Sequence, residues 1–216
     1  MKEAGATPYI PDAATLPQLA EAAQRCRGCD LYKNATQAVL GEGPPGAPIA
    51  MIGEQPGDRE DLAGKPFVGP AGALLDRALG DAGIARADVY VTNAVKHFKF
   101  EERGKRRIHK KPSTVEVHAC HPWLEAELGL VRPRLIVCLG ATAAYAVIGR
   151  KHKLLEQRGQ FFGHPMAEAV TATVHPSSIL RAADGNRRKL DYEAFVTDLK
   201  AVAERIRRME RRLHHG

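Results

Sequence analysis

Residues 49–57 read Ile-Ala-Met-Ile-Gly-Glu-Gln-Pro-Gly, an apolar run that stops at a glycine and is followed by a polar turn. A short apolar run bounded by turn residues is typical of a strand that is buried on both faces of a sheet. Three further runs of the same kind occur at 89–92, 135–139 and 169–174. The sequence therefore predicts four buried strands.

Helical periodicity fills the segments between these strands, most clearly at 71–82, at 141–148 and in the amphipathic stretch near the C-terminus. Strands that alternate with helices predict an α/β fold with three layers, α/β/α, around a central, mostly parallel four-stranded sheet. We expect a single domain over residues 1–216. Within it, residues 12–47 hold a helix, a C-x-x-C pair and a Gly/Pro loop, and residues 103–111 form a basic loop that carries a histidine.

Composition and charge narrow the class of protein. The 216 residues are 44% hydrophobic, which is enough for a sizeable core, and the net charge of +7 suits a polyanionic partner. The sequence contains no apolar run of the roughly 20 residues that a membrane span needs, and its N-terminus lacks the pattern of a signal peptide. Its four cysteines are too few for a disulfide scaffold. We therefore expect a cytoplasmic protein with no membrane partner.

The predicted strands are followed closely by residues that could border a ligand site, namely Glu54, Asn93, Gly140 and His175. Because the carboxyl ends of parallel strands meet at one edge of a sheet, where open α/β sheets bind their ligands, we expect one crevice there. The Gly53–Gly57 turn lacks the Lys-Ser/Thr of a P-loop and the third glycine of a dinucleotide fingerprint. Neither kind of nucleotide site is predicted.

Ordered motifs between Cys26 and Arg181 resemble those of the iron–sulfur uracil-DNA glycosylases of family 4. They are Gly53-Glu-Gln-Pro-Gly57, Pro66-Phe-Val-Gly-Pro-Ala-Gly72, Thr92-Asn-Ala-Val-Lys96, Cys120-x-Pro-Trp123, Leu139-Gly140 and His175-Pro-Ser-Ser-Ile-Leu-Arg181. Within this superfamily, Gln55 and the stretch Lys105-Arg-Arg-Ile-His109 resemble the UdgX branch, whose members bond covalently to uracil-containing DNA. The resemblance implies a uracil-DNA glycosylase-like fold in a monomer, with single-stranded or duplex uracil-containing DNA as its partner.

The resemblance also implies a pocket that reads a flipped uracil. Asn93 would hydrogen-bond the Watson–Crick edge of the base, and Phe67 would stack on its ring. Gly53 and Gly57 of the first motif would belong to the same substrate-binding pocket. Without the motif, Phe67 would be interpreted as a plain core aromatic.

By the same resemblance, Glu54, Gln55, His109 and His175 form the catalytic set. His175 would donate a hydrogen bond to the charge that develops on a uracil oxygen as the glycosidic bond breaks. Glu54 would stabilise the cationic sugar or accept a proton, and Gln55 belongs to the same motif. His109 would attack C1′ in place of water, because a neutral imidazole nitrogen is the better nucleophile. The protein would then stay attached to the DNA.

Five residues are candidates for DNA contact. Lys105, Arg106 and Arg107 would either bind phosphates or position the basic loop. Ser177 and Arg181 would lie in the loop that presses on the DNA near the flipped nucleotide. A simple salt bridge is the alternative for Arg181, and Ser177 could simply help to form a turn.

Family 4 proteins hold a [4Fe–4S] cluster with four cysteines, and three of those positions match Cys26, Cys29 and Cys120. His97 stands where the remaining cysteine would be, so we expect Cys₃His ligation of a cluster with a structural role. Cys138 lies in an apolar strand, where a cysteine behaves as a small hydrophobe. The same four ligands would also suit a zinc ion, which is the alternative cofactor.

Three functions remain open on the sequence alone. The first is uracil excision followed by covalent capture of the DNA through His109, with at most one turnover. The second is a conventional glycosylase in which water attacks the sugar and His109 binds phosphate. The third is a non-catalytic nucleic-acid-binding module that contains an iron–sulfur or zinc site.

Overall fold

The computed structural model describes residues 5–12 and 14–213. Its strands are β1 (Ile49–Gly53), β2 (Val89–Asn93), β3 (Phe100–Arg103), β4 (Arg106–His109), β5 (Leu135–Leu139), β6 (Phe162–His164) and β7 (Ala167–Thr173). One sheet contains five of these strands in the order β2-β1-β5-β7-β6, and β3 and β4 form a separate hairpin. The first four strands of that order run parallel, and β6 runs antiparallel to β7.

The helices of the described residues flank this sheet. They are α1 (Leu16–Ala23), α2 (Asp58–Ala63), α3 (Pro70–Ala82), α4 (Thr114–Val131), α5 (Ala141–Val147), α6 (Leu154–Gln157), α7 (Pro176–Leu180) and α8 (Gly185–Leu213). Capping boxes begin two of them, with Thr15 and Gln18 at α1 and Ser113 and Glu116 at α4. In each box the side chains satisfy backbone N–H groups that a helix start leaves without an intrahelical partner. None of the described helices is both long and apolar enough to cross a membrane.

Two apolar layers cover the sheet because consecutive strand residues point to opposite faces. Met51 and Val137 belong to the core that includes α3 and α8. Ile52 and Cys138, each one residue further along its strand, belong to the core that includes α4 and α5. The predicted α/β/α arrangement is confirmed, and burying aliphatic side chains on both faces supplies most of its stability.

The N-terminal segment packs as a smaller core beside the sheet. Leu19 and Ala23 of α1 are buried together with Cys26, Cys120 and Trp123, the last two of which lie on α4. The C-x-x-C pair follows α1 directly. This smaller core therefore fixes the region around the cysteines against one long helix.

The sheet has five strands rather than the predicted four. The additional strand, β6, spans Phe162–His164, contains Gly163 and lies at the sheet edge. Three half-exposed or exposed residues carry no readable alternation, so their sequence does not distinguish an edge strand from a turn.

The basic stretch at 103–111 was predicted as a loop, whereas β3 and β4 form an antiparallel hairpin that pairs Phe100 with His109. Gly104 lies at its turn with a φ of 59°, a conformation that glycine adopts without steric cost. The hairpin is exposed over much of its length, so charged residues hide its alternation. Helix α2 likewise was not predicted, and it begins directly after the Gly53–Gly57 turn. The single domain over 1–216 stays a prediction.

Candidate active site

The carboxyl ends of the parallel strands create the candidate site. Gly53 is paired with Asn93 across β1 and β2, and Leu139 is paired with Thr173 across β5 and β7. The residues that follow these ends therefore emerge at the same edge of the sheet. This is the edge at which open α/β folds bind ligands.

One wall of the site combines Asn93 with Phe67, and Gly53 makes room for both. A Cβ atom on Gly53 would overlap Asn93 Oδ1 and would lie 2.9 Å from Phe67 Cζ. Asn93 is 3% exposed, and the Phe67 and His175 rings lie 6.1 Å apart at an interplanar angle of 27°. An amide that can read a base edge thus lies beside two nearly parallel rings.

The backbone of Phe67 is held in a left-handed conformation, with a φ of 56°. This region is costly for a non-glycine residue, so it persists only where the surroundings enforce it. Gly72 packs against the Phe67 carbonyl so closely that a Cβ atom there would overlap it. Glu60 accepts a 2.8 Å hydrogen bond from the Gly69 N–H and lies beside Gly57. Gly57 therefore begins α2 and accommodates Glu60, which in turn anchors the Phe67 loop.

His175 presents a neutral imidazole in a defined tautomer. Its Nδ1 accepts a 3.1 Å hydrogen bond from the Ser177 N–H at the start of α7, and the Ser177 hydroxyl lies 2.8 Å from the same nitrogen. Because Nδ1 is the acceptor, the ring proton resides on Nε2. Burial, aided by the charges of Arg181 and His109, lowers the pKa of His175 to about 4. The ring can thus donate from Nε2 without carrying a charge.

Glu54 and His109 face each other in the same crevice. His109 Nε2 lies 3.4 Å from Glu54 Oε1, and Glu54 Oε2 accepts a hydrogen bond from the Thr142 hydroxyl. Half of the His109 side chain is exposed, whereas Glu54 is more enclosed. A carboxylate and a nucleophilic nitrogen are therefore adjacent at the edge where the strand ends meet.

The pKa of His109 lies below its ordinary value of 6.5, because burial disfavours the imidazolium and Arg181 adds like-charge repulsion. Glu54 opposes these effects but does not cancel them. A depressed pKa keeps the nitrogen lone pair free near neutral pH, which is the state a nucleophile requires.

Gln55 ties the base of the hairpin to the sheet. Its Nε2 donates 3.1 Å hydrogen bonds to the carbonyls of Lys99 and Lys110, and its Oε1 accepts one from the Lys99 N–H. These two lysines flank the hairpin on either side. Gln55 is 7% exposed, and its amide is used in holding the strand that carries His109.

Arg107 clamps the face of the hairpin to α2. Its guanidinium donates to Asp58 Oδ1 and Asp61 Oδ2, each at 2.6 Å, and stacks over the rings of Phe98 and Phe100. Asp61 is fully buried, so the pair is shielded from water on that side. This arrangement favours the positioning task for Arg107 over a phosphate contact.

The other candidates for DNA contact differ in their surroundings. Lys105 and Arg106 are exposed at the hairpin tip, and Arg181 is exposed at the end of α7. Ser177 is engaged with His175, as described above. Arg106 and Arg181 are therefore available to a polyanion, and Arg107 is already neutralised by two carboxylates.

Three of the four candidate cluster ligands, the cysteines, lie in the smaller core. Cys26, Cys29 and Cys120 are buried, and so is His97. The Trp123 indole N–H donates to Cys26 Sγ and the Lys96 backbone N–H donates to Cys120 Sγ, each at 3.2 Å. Hydrogen bonds of this kind to sulfur are typical of iron–sulfur sites.

The protonation of these side chains and the space beside them bear on what they could hold. Burial, reinforced by Cys29 and Cys26, raises the pKa of the Cys120 thiol to about 12, so forming the thiolate costs free energy. A bound iron would offset this cost by binding the thiolate. Burial lowers the pKa of His97 to about 4, which keeps its imidazole neutral and able to ligate. Cys26 and His97 also line one cavity of about 350 Å³.

The described donors do not form a site for a single metal ion. Within residues 5–12 and 14–213, no three Cys, His, Asp or Glu side chains are grouped closely enough to hold one metal ion. Zinc needs all of its ligands around one centre. In a [4Fe–4S] cluster each protein ligand bonds to a different iron, so its donors stand farther apart.

Several residues of the site escaped the sequence reasoning. Thr142, Glu60 and the Asp58/Asp61 pair all lie outside the predicted set, although they contact Glu54, Gly69 and Arg107 respectively. Asp58 and Asp61 are three residues apart, a spacing that places both carboxylates on one face of a helix and could have indicated a shared basic partner. No local pattern marks Thr142, because its contact depends on how β1 and α5 meet.

Comparison with known proteins agrees with this geometry. A profile described as the Uracil DNA glycosylase superfamily matches residues 40–200. A type-4 uracil-DNA glycosylase of Thermotoga maritima is 37% identical over 176 residues, covering 81% of this chain and 88% of that protein. One from Archaeoglobus fulgidus is 41% identical over 190 residues, covering 83% and 87%, and a type-5 uracil-DNA glycosylase of Thermus thermophilus is 31% identical over 158 residues, covering 64% and 68%. The chain belongs to the uracil DNA glycosylase superfamily.

Proposed function

We propose that this protein excises uracil from DNA and then becomes bonded through His109 to C1′ of the resulting abasic sugar. The type-4 relatives support the excision step. The observation that carries the capture step is the placement of His109 Nε2 3.4 Å from Glu54, at the edge occupied by Asn93 and His175. A neutral imidazole held there can itself attack the sugar that forms as uracil leaves.

Recognition begins with the flipped nucleotide, because the reacting bond is inaccessible inside a duplex. The base enters beside Phe67, whose ring is available for stacking, and the Asn93 amide meets its hydrogen-bonding edge. Exposed Lys105, Arg106 and Arg181 bind the phosphates on either side. These contacts supply the salt-dependent part of the affinity.

Bond cleavage separates charge, and the two sides of the site match the two charges. The electron pair of the C1′–N1 bond leaves with uracil, and the His175 Nε2–H donates to the anionic oxygen of the base. Glu54 lies where its negative charge stabilises the oxocarbenium-like sugar. A neutral His175 suits this task, because it stabilises the anion without first needing a proton from solvent.

Capture then takes place at C1′. The neutral His109 nitrogen forms a bond to C1′, the resulting imidazolium loses its ring N–H proton, and uracil gains one proton. Holding the nitrogen in the site gives it a large effective concentration relative to water. Gln55 and Arg107 contribute by fixing the hairpin rather than by touching the reacting atoms.

A [4Fe–4S] cluster held by Cys26, Cys29, Cys120 and His97 is part of this proposal. When bound, it would supply a covalent brace between the C-x-x-C segment and α4, with no step of the excision passing through it. Histidine ligation raises the reduction potential of iron–sulfur centres. His97→Cys is therefore expected to keep the iron and lower the potential, and zinc instead of iron in the anaerobically purified protein would contradict the cluster.

The experiment incubates the protein with a uracil-containing single-stranded oligonucleotide, with thymine and abasic versions as controls. Products are separated on a denaturing gel and weighed by mass spectrometry. A uracil-dependent species with the mass of protein plus DNA minus uracil, mapped to His109, is the expected result. His109→Ala should lose it, and His118→Ala, which alters an exposed histidine outside the site, should keep it.

Other outcomes separate the alternatives. Repeated uracil release without an adduct would identify a conventional glycosylase. Salt-sensitive DNA binding with no uracil release would favour a non-catalytic module. A duplex substrate run in parallel determines which strand state is preferred.

A further inference from the structure

A buried ion pair lies directly behind the turn that carries Asn93. The side chain of Lys96 is 1% exposed and that of Glu127 is 0% exposed, and their charged groups are hydrogen-bonded to each other. Removing two charges from water costs about as much free energy as their attraction returns, so such a pair adds little net stability. Stability alone therefore does not account for it.

The ammonium group of Lys96 also holds the Asn93 turn from inside. Its Nζ donates to the Asn93 main-chain carbonyl at 2.6 Å and to the Thr92 hydroxyl at 2.9 Å. An ammonium has three donors, and Glu127 takes the remaining one. The turn at the end of β2 is thus fixed by a single side chain that reaches back three residues.

Glu127 in turn orients the ammonium. Its other oxygen accepts hydrogen bonds from the Tyr90 hydroxyl at 2.8 Å and from the Gly41 N–H at 2.5 Å. Burial, with the charge of Glu127, raises the pKa of Tyr90, so the hydroxyl keeps its proton and donates. These two hydrogen bonds fix the carboxylate in the orientation in which it binds Lys96.

We propose that Lys96 is a positioning residue that sets the base specificity of Asn93. Uracil and cytosine present opposite donor and acceptor groups at positions 3 and 4, so one amide orientation serves only one of them. The Asn93 amide lies against Gly53, and the main chain behind it is anchored by the Lys96 ammonium. This inference rests on the proposed uracil excision.

The test compares three forms of the full-length protein: wild type, Glu127→Gln, and the double variant Lys96→Met/Glu127→Gln. The double variant removes both charges, so no unpaired buried charge remains, yet the Asn93 carbonyl loses its ammonium. Thermal unfolding and iron content establish that each form is folded. Single-turnover rates are then measured on oligonucleotides that carry uracil or cytosine at the same position.

The double variant is expected to slow uracil release about tenfold or more, because small displacements of a reading group are costly. Its preference for uracil over cytosine should fall as well, while its affinity for uracil-free DNA stays unchanged. A general loss of packing would slow the release of uracil and of cytosine alike and would leave the preference for uracil unchanged. A folded, iron-containing double variant with the rate and preference of the wild type would overturn the proposal.

Glu127→Gln removes the carboxylate that orients the ammonium, so it should lower the rate of uracil release and the preference for uracil over cytosine in the same direction as the double variant. A folded Glu127→Gln with the rate and the base preference of the wild type would also overturn the proposal. If the double variant does not fold, the comparison of Glu127→Gln with the wild type tests the proposal in its place. Absence of uracil release by the wild type would instead refute the proposed function.

Discussion

Phe67 illustrates how a site residue can be defined by its neighbours. Its left-handed backbone costs roughly 1–3 kcal/mol, which the surrounding contacts must offset. Gly72 leaves space for its carbonyl, and Glu60 anchors the Gly69 N–H beyond it. Within the motif Pro66–Gly72, the position of the Phe67 ring therefore depends on the space that Gly72 leaves for the Phe67 carbonyl.

Gly72→Ala tests this dependence. The added methyl group would overlap the Phe67 carbonyl, so the loop must shift, and uracil release should fall at least about tenfold. Gly80→Ala on the same helix is the matched control, because a Cβ there meets nothing within 4 Å. It should leave the rate unchanged and stabilise α3 by up to about 1 kcal/mol. Equal rates for the two variants would contradict the role of Gly72.

The protonation of His109 predicts a pH dependence. Its pKa lies below 6.5, so the neutral nucleophile persists at that pH and adduct formation should fall only at lower pH. His175, with a pKa of about 4, stays neutral over most of this range. Arg181→Ala removes a charge that lowers the pKa of His109, so its midpoint should move to higher pH. Rates of adduct formation between about pH 8 and pH 5 measure both midpoints.

A wild-type midpoint at or above 6.5, or one that Arg181→Ala leaves in place, would count against this account. The midpoint is read from the shape of the profile. With DNA well below saturation it reports the pKa of the free protein, and a weaker affinity for DNA in Arg181→Ala changes the height of the profile but not its midpoint.

The β3-β4 hairpin carries His109, and its two anchors act at different places. Gln55 binds the carbonyls at its base, and Arg107 binds Asp58 and Asp61 through its face. Isolated two-stranded hairpins are marginally stable in water. These anchors therefore determine whether the imidazole reaches the site in one position.

Neighbouring arginines on β4 should give opposite results on substitution. Arg107→Ala should slow adduct formation about tenfold or more while leaving the salt dependence of DNA binding unchanged, because its charge is already paired. Arg106→Ala should reduce the slope of log affinity against log salt by about one with little effect on the bound-state rate. Binding titrations at several salt concentrations and single-turnover gels provide both readings. A reversed pattern would assign the phosphate contact to Arg107.

The sequence predicted the parts of this protein that repeat a simple pattern. The four parallel strands and the long helices follow from apolar runs and helical spacing, and all of these strands are present. Strand β6 and the hairpin were missed because three partly buried residues, or charged residues on an exposed ribbon, carry no periodic burial. Glu54, Asn93 and His175 could be located because strand ends converge. The partners Thr142 and Asp61 could not, since contacts between distant elements leave no local pattern.

Across the molecule, the smaller core differs from the two that flank the sheet. It includes three cysteines, Cys26, Cys29 and Cys120, together with small residues of α1 such as Ala22 and Ala23. Leu19 and the fully buried Trp123 pack the same core. Metal ligation is expected to add to its stability, because a structural metal contributes its binding free energy to folding.

Cys120→Ser should therefore lose iron and lower the melting temperature of the purified protein. Cys138→Ala is the matched control, because Cys138 is equally buried but lies in β5 within a different core. It should retain iron, and the small cavity should lower its free energy of unfolding by only about 1–2 kcal/mol. Loss of iron from Cys138→Ala, or full iron in Cys120→Ser, would refute the ligand assignment.

The hairpin also defines how mechanical load would pass from DNA into the protein. In the proposed adduct, a polymerase or helicase that pulls on the strand transmits tension through His109 into β4, which is paired with β3 rather than with the sheet. The tension then reaches Gln55 and Arg107, whose side-chain bonds are few and partly exposed. The hairpin would peel away before β1 or β5 is strained. Separation of the hairpin would lengthen the connection between the DNA and the protein during such a collision, while the rest of the fold stays intact.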